Sequence, residues 1–137
     1  VLSATYGSCW QGYCASWLSA WELQPGGVRL VLDGVPIAAS NTGAQEACEA
    51  ILAGGRRGRA GGGPRDACFD IAGTPRFAQG VRDDTPGALT LSFRGARTTE
   101  GRPAARARVS RIDEQAVYAW QDGRYVLTRG RNPVPSF

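Results

Sequence analysis

Histidine, lysine and methionine are all missing from the 137 residues of this chain. Without histidine there is no Cys/His zinc site, no Ser-His-Asp triad and no Cys-His nucleophile. Without lysine there is no phosphate-cradling glycine loop ending in Lys-Ser/Thr. Without methionine there is no initiator residue, so either a removed leader or a trimmed chain is expected, the first agreeing with the cysteines. Long apolar runs are missing too, and none approaches the ~18 residues of a membrane span.

Four cysteines are present: Cys9, Cys14, Cys48 and Cys68. An even number in a short chain reads as two disulfides and an oxidising location, periplasmic or secreted. Local pairing, Cys9–Cys14 and Cys48–Cys68, is the first expectation, with the crossed pairings left open. On a helix the first two would point apart, whereas a loop around Gly12 lets them meet. A site built from all four thiolates is the lesser reading, so no metal and no cofactor are expected.

A hydrophobic share of 42% is ordinary for a globular chain, and this length suits one domain over residues 1–137. All sixteen basic residues are arginine. Arginine-favouring codon usage is the plain explanation, and bidentate recognition of carboxylate or phosphate is the functional one. The charge is lopsided: residues 1–53 carry a net −3 and residues 54–137 a net +7. Such a basic half suits an anionic partner, whether an acidic protein surface or an anionic glycan. Residues 54–64 read as a Gly/Arg-rich surface loop without the aromatics that stack on bases, which argues against nucleic acid.

Tyr6, Trp10, Tyr13, Trp17 and Trp21 would line one stripe of a helix, but Gly7 and Gly12 interrupt it. From Trp17 onward a strand reads equally well. Pro25-Gly26 then marks a turn, and Asp33-Gly34 signals a tight hairpin, so a β-meander is expected over 17–39. Thr42 and Gln45 match a capping box before an apolar face of Ala44, Ala47, Cys48, Ile51 and Leu52, which predicts a helix over about 42–53. In the second half Leu89, Leu91 and Phe93 alternate with polar residues. A run at 104–111 is expected to pair with them across Gly95–Pro103. Asp122-Gly123 joins two further strands, setting Trp120 opposite Tyr125 and Tyr118 opposite Leu127. The fold class expected is α+β: a small antiparallel sheet or partial barrel with one packed helix, stabilised by disulfides.

Carboxylates are present, but no pair announces a catalytic cleft; Asp83-Asp84 reads as a turn. Binding rather than catalysis is therefore expected, with no enzyme activity. The candidate surface has two parts. Arg94, Arg97, Arg102, Arg106 and Arg108 are expected to form one basic face. Trp10, Trp17 and Trp21 are core residues in the plain reading of a small β domain, and partner anchors in the other. The function that follows is an exported module working through protein–protein contacts: an inhibitor, an immunity-type protein or an accessory subunit of an envelope complex. A carbohydrate- or anionic envelope-polymer-binding module is the first alternative, and an enzyme with a carboxylate-based site is the remote one.

Overall fold

The computed structural model describes residues 1–54, 67–99 and 108–136. Among them, seven strands form one antiparallel sheet whose spatial order is the chain order: β1 (Leu2–Trp10), β2 (Tyr13–Gln24), β3 (Gly27–Ser40), β4 (Phe69–Phe77), β5 (Leu89–Thr98), β6 (Val109–Gln121) and β7 (Arg124–Gly130). One short helix, α1 (Glu46–Leu52), lies between β3 and β4. The chain is mainly β, and α+β describes it in that coarse sense. Both expected disulfides are formed, Cys9–Cys14 and Cys48–Cys68, and no described cysteine is free.

Tight turns set the register at both ends of the sheet. Gln11 and Gly12 both have positive φ (48° and 82°), and so do Asp122 and Gly123 (50° and 80°). That is the backbone of a two-residue hairpin turn, whose twist matches the flanking strands. Trp120 therefore faces Tyr125 and Tyr118 faces Leu127, as the sequence predicts. Asp33-Gly34 behaves otherwise. Gly34 does have positive φ (53°), yet β3 runs straight through it. The pairing steps from Leu18↔Val35 to Ala20↔Leu32, so Asp33 and Gly34 together oppose Ser19. The Gly34 N–H donates to the Ser19 hydroxyl at 3.0 Å. The expected hairpin is thus a β-bulge, in which the Ser19 hydroxyl takes up the Gly34 amide.

Two further irregularities in the β2–β3 ladder also put the extra residue on β3, at Val31 and Ile37. Both are buried. The sheet curls until β7 comes alongside β3. Asn132, just past β7, donates from Nδ2 to the Pro36 carbonyl at 2.7 Å, and a Cβ on Gly123 would meet the Arg29 guanidinium. The curl encloses the main core, in which Leu18, Ile71, Leu89, Leu91 and Phe93 are almost fully buried.

The helix is shorter than the 42–53 expected, and the capping box does not form. Gln45 is itself the N-cap residue and makes no side-chain capping bond. The amides of Ala44 and Gln45 both donate instead to the Asn41 carbonyl, which holds residues 42–45 as a turn. Cys48, Ile51 and Leu52 pack with Cys68 and Ala96 as a second, smaller core. This cluster lies on the opposite side of β5 from the main core. The β4–β5 and β5–β6 ladders run without a shift, so Phe93 and Gly95 share one side while Arg94 and Ala96 share the other. The register of β5 also differs from expectation. Leu89–Thr98 pairs with Val109–Tyr118, so Phe93 faces Glu114, and residues 104–107 lie outside the described part.

Candidate binding surface

The β1–β2 hairpin is the most unusual part of the molecule. Its nine pairs run without a shift from Leu2↔Trp21 to Trp10↔Tyr13. Residues directly opposite each other project to the same face. One face therefore carries Leu2, Ala4, Tyr6, Ser8 and Trp10 of β1 against Trp21, Ser19, Trp17, Ala15 and Tyr13 of β2. Large side chains alternate with small ones along both strands.

The rings meet across the ladder. Tyr6 stacks on Trp17 with centroids 5.7 Å apart and planes 24° from parallel. Trp10 stacks on Tyr13 at 6.4 Å and 28°. Ala15 and Ser19, the small residues between the rings, are buried. The opposite face of β2 sends Leu18 and Ala20 into the core. The aromatic band extends onto β3, because Trp21 faces Leu30 and Leu23 faces Val28. Leu2, Tyr6, Trp10, Leu23, Val28 and Leu30 are each at least 45% exposed. A run of large apolar side chains over three adjacent strands is rare on a solvated surface, which makes this face the candidate site.

The hairpin is fixed at its tip. Cys9 and Cys14 are direct cross-strand partners with Cα atoms 4.1 Å apart. A Cβ at Gly12 would collide with the backbone of Gly43 and Ala44, so the turn sits against the segment that leads into α1. Glycine is required there by both its positive φ and that contact.

The arginines are distributed differently from the single face expected. Arg94 and Arg97 belong to the same strand three residues apart, so they point to opposite sides of the sheet. Arg94 is exposed on the α1 side and pairs with Asp113 directly across the ladder. Arg97 is half-buried on the other side and lines a cleft of about 420 Å³ with Phe69, Arg131, Asn132 and Val134. Beside that cleft Arg131 binds Glu114 with two hydrogen bonds, 2.7 and 2.9 Å. Those bonds hold the Glu114 carboxyl below its ordinary value against the opposing pull of desolvation, and the charges of Arg131 and Arg97 add to the effect. Arg108 is exposed just before β6. Arg102 and Arg106 lie outside the described residues.

A second cleft, of about 770 Å³, lies between Glu22 and Leu23 on β2 and the 78–87 segment, with Asp83 and Asp84 on its wall. Glu22 is already engaged by Arg29 at 2.6 Å, and Asp84 by the Thr85 hydroxyl at 3.3 Å. Among the described residues no group of three His, Cys, Asp or Glu side chains is placed to hold a metal ion. No helix there is long and apolar enough to cross a membrane.

Sequence reasoning singled out Trp10, Trp17 and Trp21, and the structure brings all three onto one face. It grouped Tyr6 and Leu23 with the tryptophans without counting them as partner-binding, and it missed Leu2, Val28 and Leu30 as members of that face. The signal available was the large–small alternation of Leu2, Ala4, Tyr6, Ser8 and Trp10. No family model, no characterised protein and no solved structure matches this chain.

Proposed function

We propose that this protein is an exported, disulfide-bonded binding module that acts through protein–protein contacts. Its role is that of an inhibitor, an immunity-type protein or an accessory subunit of an envelope or extracellular complex. The observation that carries the reading is the band of large apolar side chains on β1, β2 and β3, held on a disulfide-closed hairpin. Tryptophan and tyrosine anchors on a preformed surface cost little conformational entropy on binding and dominate interface energetics. The two disulfides fit a periplasmic or secreted location. The curled sheet, read as a partial barrel, serves as the rigid support.

Carbohydrate binding is the weaker reading for a geometric reason. Tyr6, Trp17, Trp10 and Tyr13 each give one ring face to a neighbour, which halves the ring surface left for a sugar platform. The aliphatic Leu23, Val28 and Leu30 likewise suit a protein surface better than a glycan.

Affinity capture from native envelope and secreted material tests the proposal, run in parallel with a Trp10→Ser/Leu30→Ser variant. A stoichiometric protein partner retained by the native chain and lost with the variant is the expected result. Retention on anionic glycans, with no protein partner that depends on the face, would overturn it.

A further inference from the structure

The sheet ends on β1, and β1 has no device against pairing with another strand. Its nine residues contain no charge and no proline, and the β1–β2 ladder has no bulge. Natural edges normally carry at least one of these protections. The other end of the sheet does: β7 carries Arg124 and Arg129, and its ladder with β6 is irregular at Val117/Tyr118.

The direction of the free backbone groups follows from the hairpin itself. A two-residue turn makes Trp10 and Tyr13 a hydrogen-bonded pair, so the next pair, Cys9 and Cys14, is a non-bonded one. Their close Cα approach, 4.1 Å, agrees. With a period of two, the N–H and C=O groups of Cys9, Gly7, Thr5 and Ser3 point away from β2. Among the described residues no strand lies on that side.

We infer that this edge takes a second copy of the same chain, the two β1 strands pairing antiparallel about a two-fold axis at Tyr6. In that register Ser3 bonds Cys9 and Thr5 bonds Gly7 of the other copy, so all four outward residues are used. Registers centred on Thr5 or Gly7 leave some of them out. The side chains are also self-complementary in this register, as they are not in those centred on Thr5 or Gly7. Leu2 faces Trp10, Ala4 faces Ser8, and Tyr6 faces Tyr6, so large meets large and small meets small. The stacked pair Tyr6–Trp17 is extended into a row of four rings, Trp17–Tyr6–Tyr6–Trp17, across the two copies. Cross-strand aromatic contacts of this kind add to the backbone bonds. Because β1 carries no charged side chain, the pairing sets no like charges directly opposite each other. An isologous contact of this form closes on itself, so it ends at a dimer. This inference rests on the outward backbone edge of β1 and does not require the proposed function, although Leu2, Tyr6 and Trp10 also belong to the aromatic face.

Sedimentation equilibrium over a wide concentration range, combined with amide hydrogen exchange, tests it on the intact disulfide-bonded protein. The mass is expected to rise toward twice that of the chain, with the amides of Ser3, Thr5, Gly7 and Cys9 becoming protected over the same range. Thr5→Pro removes an N–H that the β1–β2 ladder does not use, so the monomer should keep its fold while dimerisation weakens by about tenfold or more. Tyr6→Glu places like charges directly opposite on the axis and should also abolish the dimer, which covers the case that Thr5→Pro disturbs folding. A mass that stays at one chain throughout would overturn the inference. So would a dimer in which those four amides stay unprotected, or one indifferent to both substitutions. Protection of the four amides only on adding an extended peptide would assign the edge to a different occupant and overturn it equally.

Discussion

Tyr6 on β1 and Trp17 on β2 stand directly opposite each other and stack, with ring centroids 5.7 Å apart. The contact joins a half-exposed edge residue to a residue of the second strand. It therefore does two things at once: it holds the hairpin closed and it presents ring surface to solvent.

A double-mutant cycle with Tyr6→Ala and Trp17→Ala should measure this coupling. The two substitutions together should cost about 0.5–1.5 kcal/mol less than the sum of the single ones, because either alone already breaks the stack. Urea denaturation of the four proteins reads it. Strict additivity would mean that the rings contribute separately.

The two disulfides should contribute unequally. Cys48–Cys68 closes a separation of 20 residues and is fully buried between α1 and β4, whereas Cys9–Cys14 closes 5 within an existing hairpin. The loop-closure model assigns about 3 kcal/mol to the longer and about 2 kcal/mol to the shorter. Replacing Cys48 and Cys68 by serine also puts hydroxyls into the small apolar core. That pair of substitutions should lower the melting temperature more than Cys9→Ser/Cys14→Ser does.

Gly73 lies under the ring of Phe93. A Cβ there would stand 2.7 Å from Phe93 Cε1 and 2.8 Å from the Ile37 carbonyl oxygen. Phe93 is fully buried and Ile37 O belongs to the backbone, so neither yields easily. Gly73→Ala is expected to cost about 1–3 kcal/mol through overpacking. Equilibrium denaturation should show a lowered midpoint with an unchanged slope.

Stability should fall at alkaline pH. Tyr118 and Tyr125 are buried, and desolvation raises both phenols above the ordinary value of 10.0, for Tyr118 against a smaller opposing effect of its hydrogen bond with Asn132. Tyr125 also donates to the Gly87 carbonyl at 3.0 Å, a bond that exists only while it is protonated. With the folded value above the unfolded one, the folded chain holds these protons longer. The stabilisation is fully present below the unfolded value and is lost as pH rises past it toward the folded values. Thermal melts taken upward through pH 10 should show the decline, and Tyr125→Phe should flatten it.

Much was legible in the residues themselves. The two disulfide pairings, the Pro25-Gly26 turn, the inward set Leu89, Leu91 and Phe93, and the Trp120–Tyr125 register all follow from local rules: an even cysteine number, strand alternation and positive-φ turn chemistry. β1 and β4 escaped those rules. The small polar residues between the large ones hid β1, and Gly73-Thr74-Pro75 interrupts the pattern of β4.

Other features were settled only when distant segments met. A positive-φ glycine serves a turn or a bulge equally well, and the Ser19 hydroxyl, 15 residues away, decides that Gly34 makes a bulge. Thr42 and Gln45 carry the residues of a capping box, yet the Asn41 carbonyl takes the amides that the box would have organised. The face on which an arginine lies depends on where its strand stops. β5 continues to Thr98, so Arg94 and Arg97 part to opposite sides. The tryptophans show the same division most plainly. Their spacing places Trp17 and Trp21 on one face of β2 from the sequence alone. Whether that face was core or surface depended on which side of the hairpin the curled sheet covered, and it covered the side of Leu18 and Ala20.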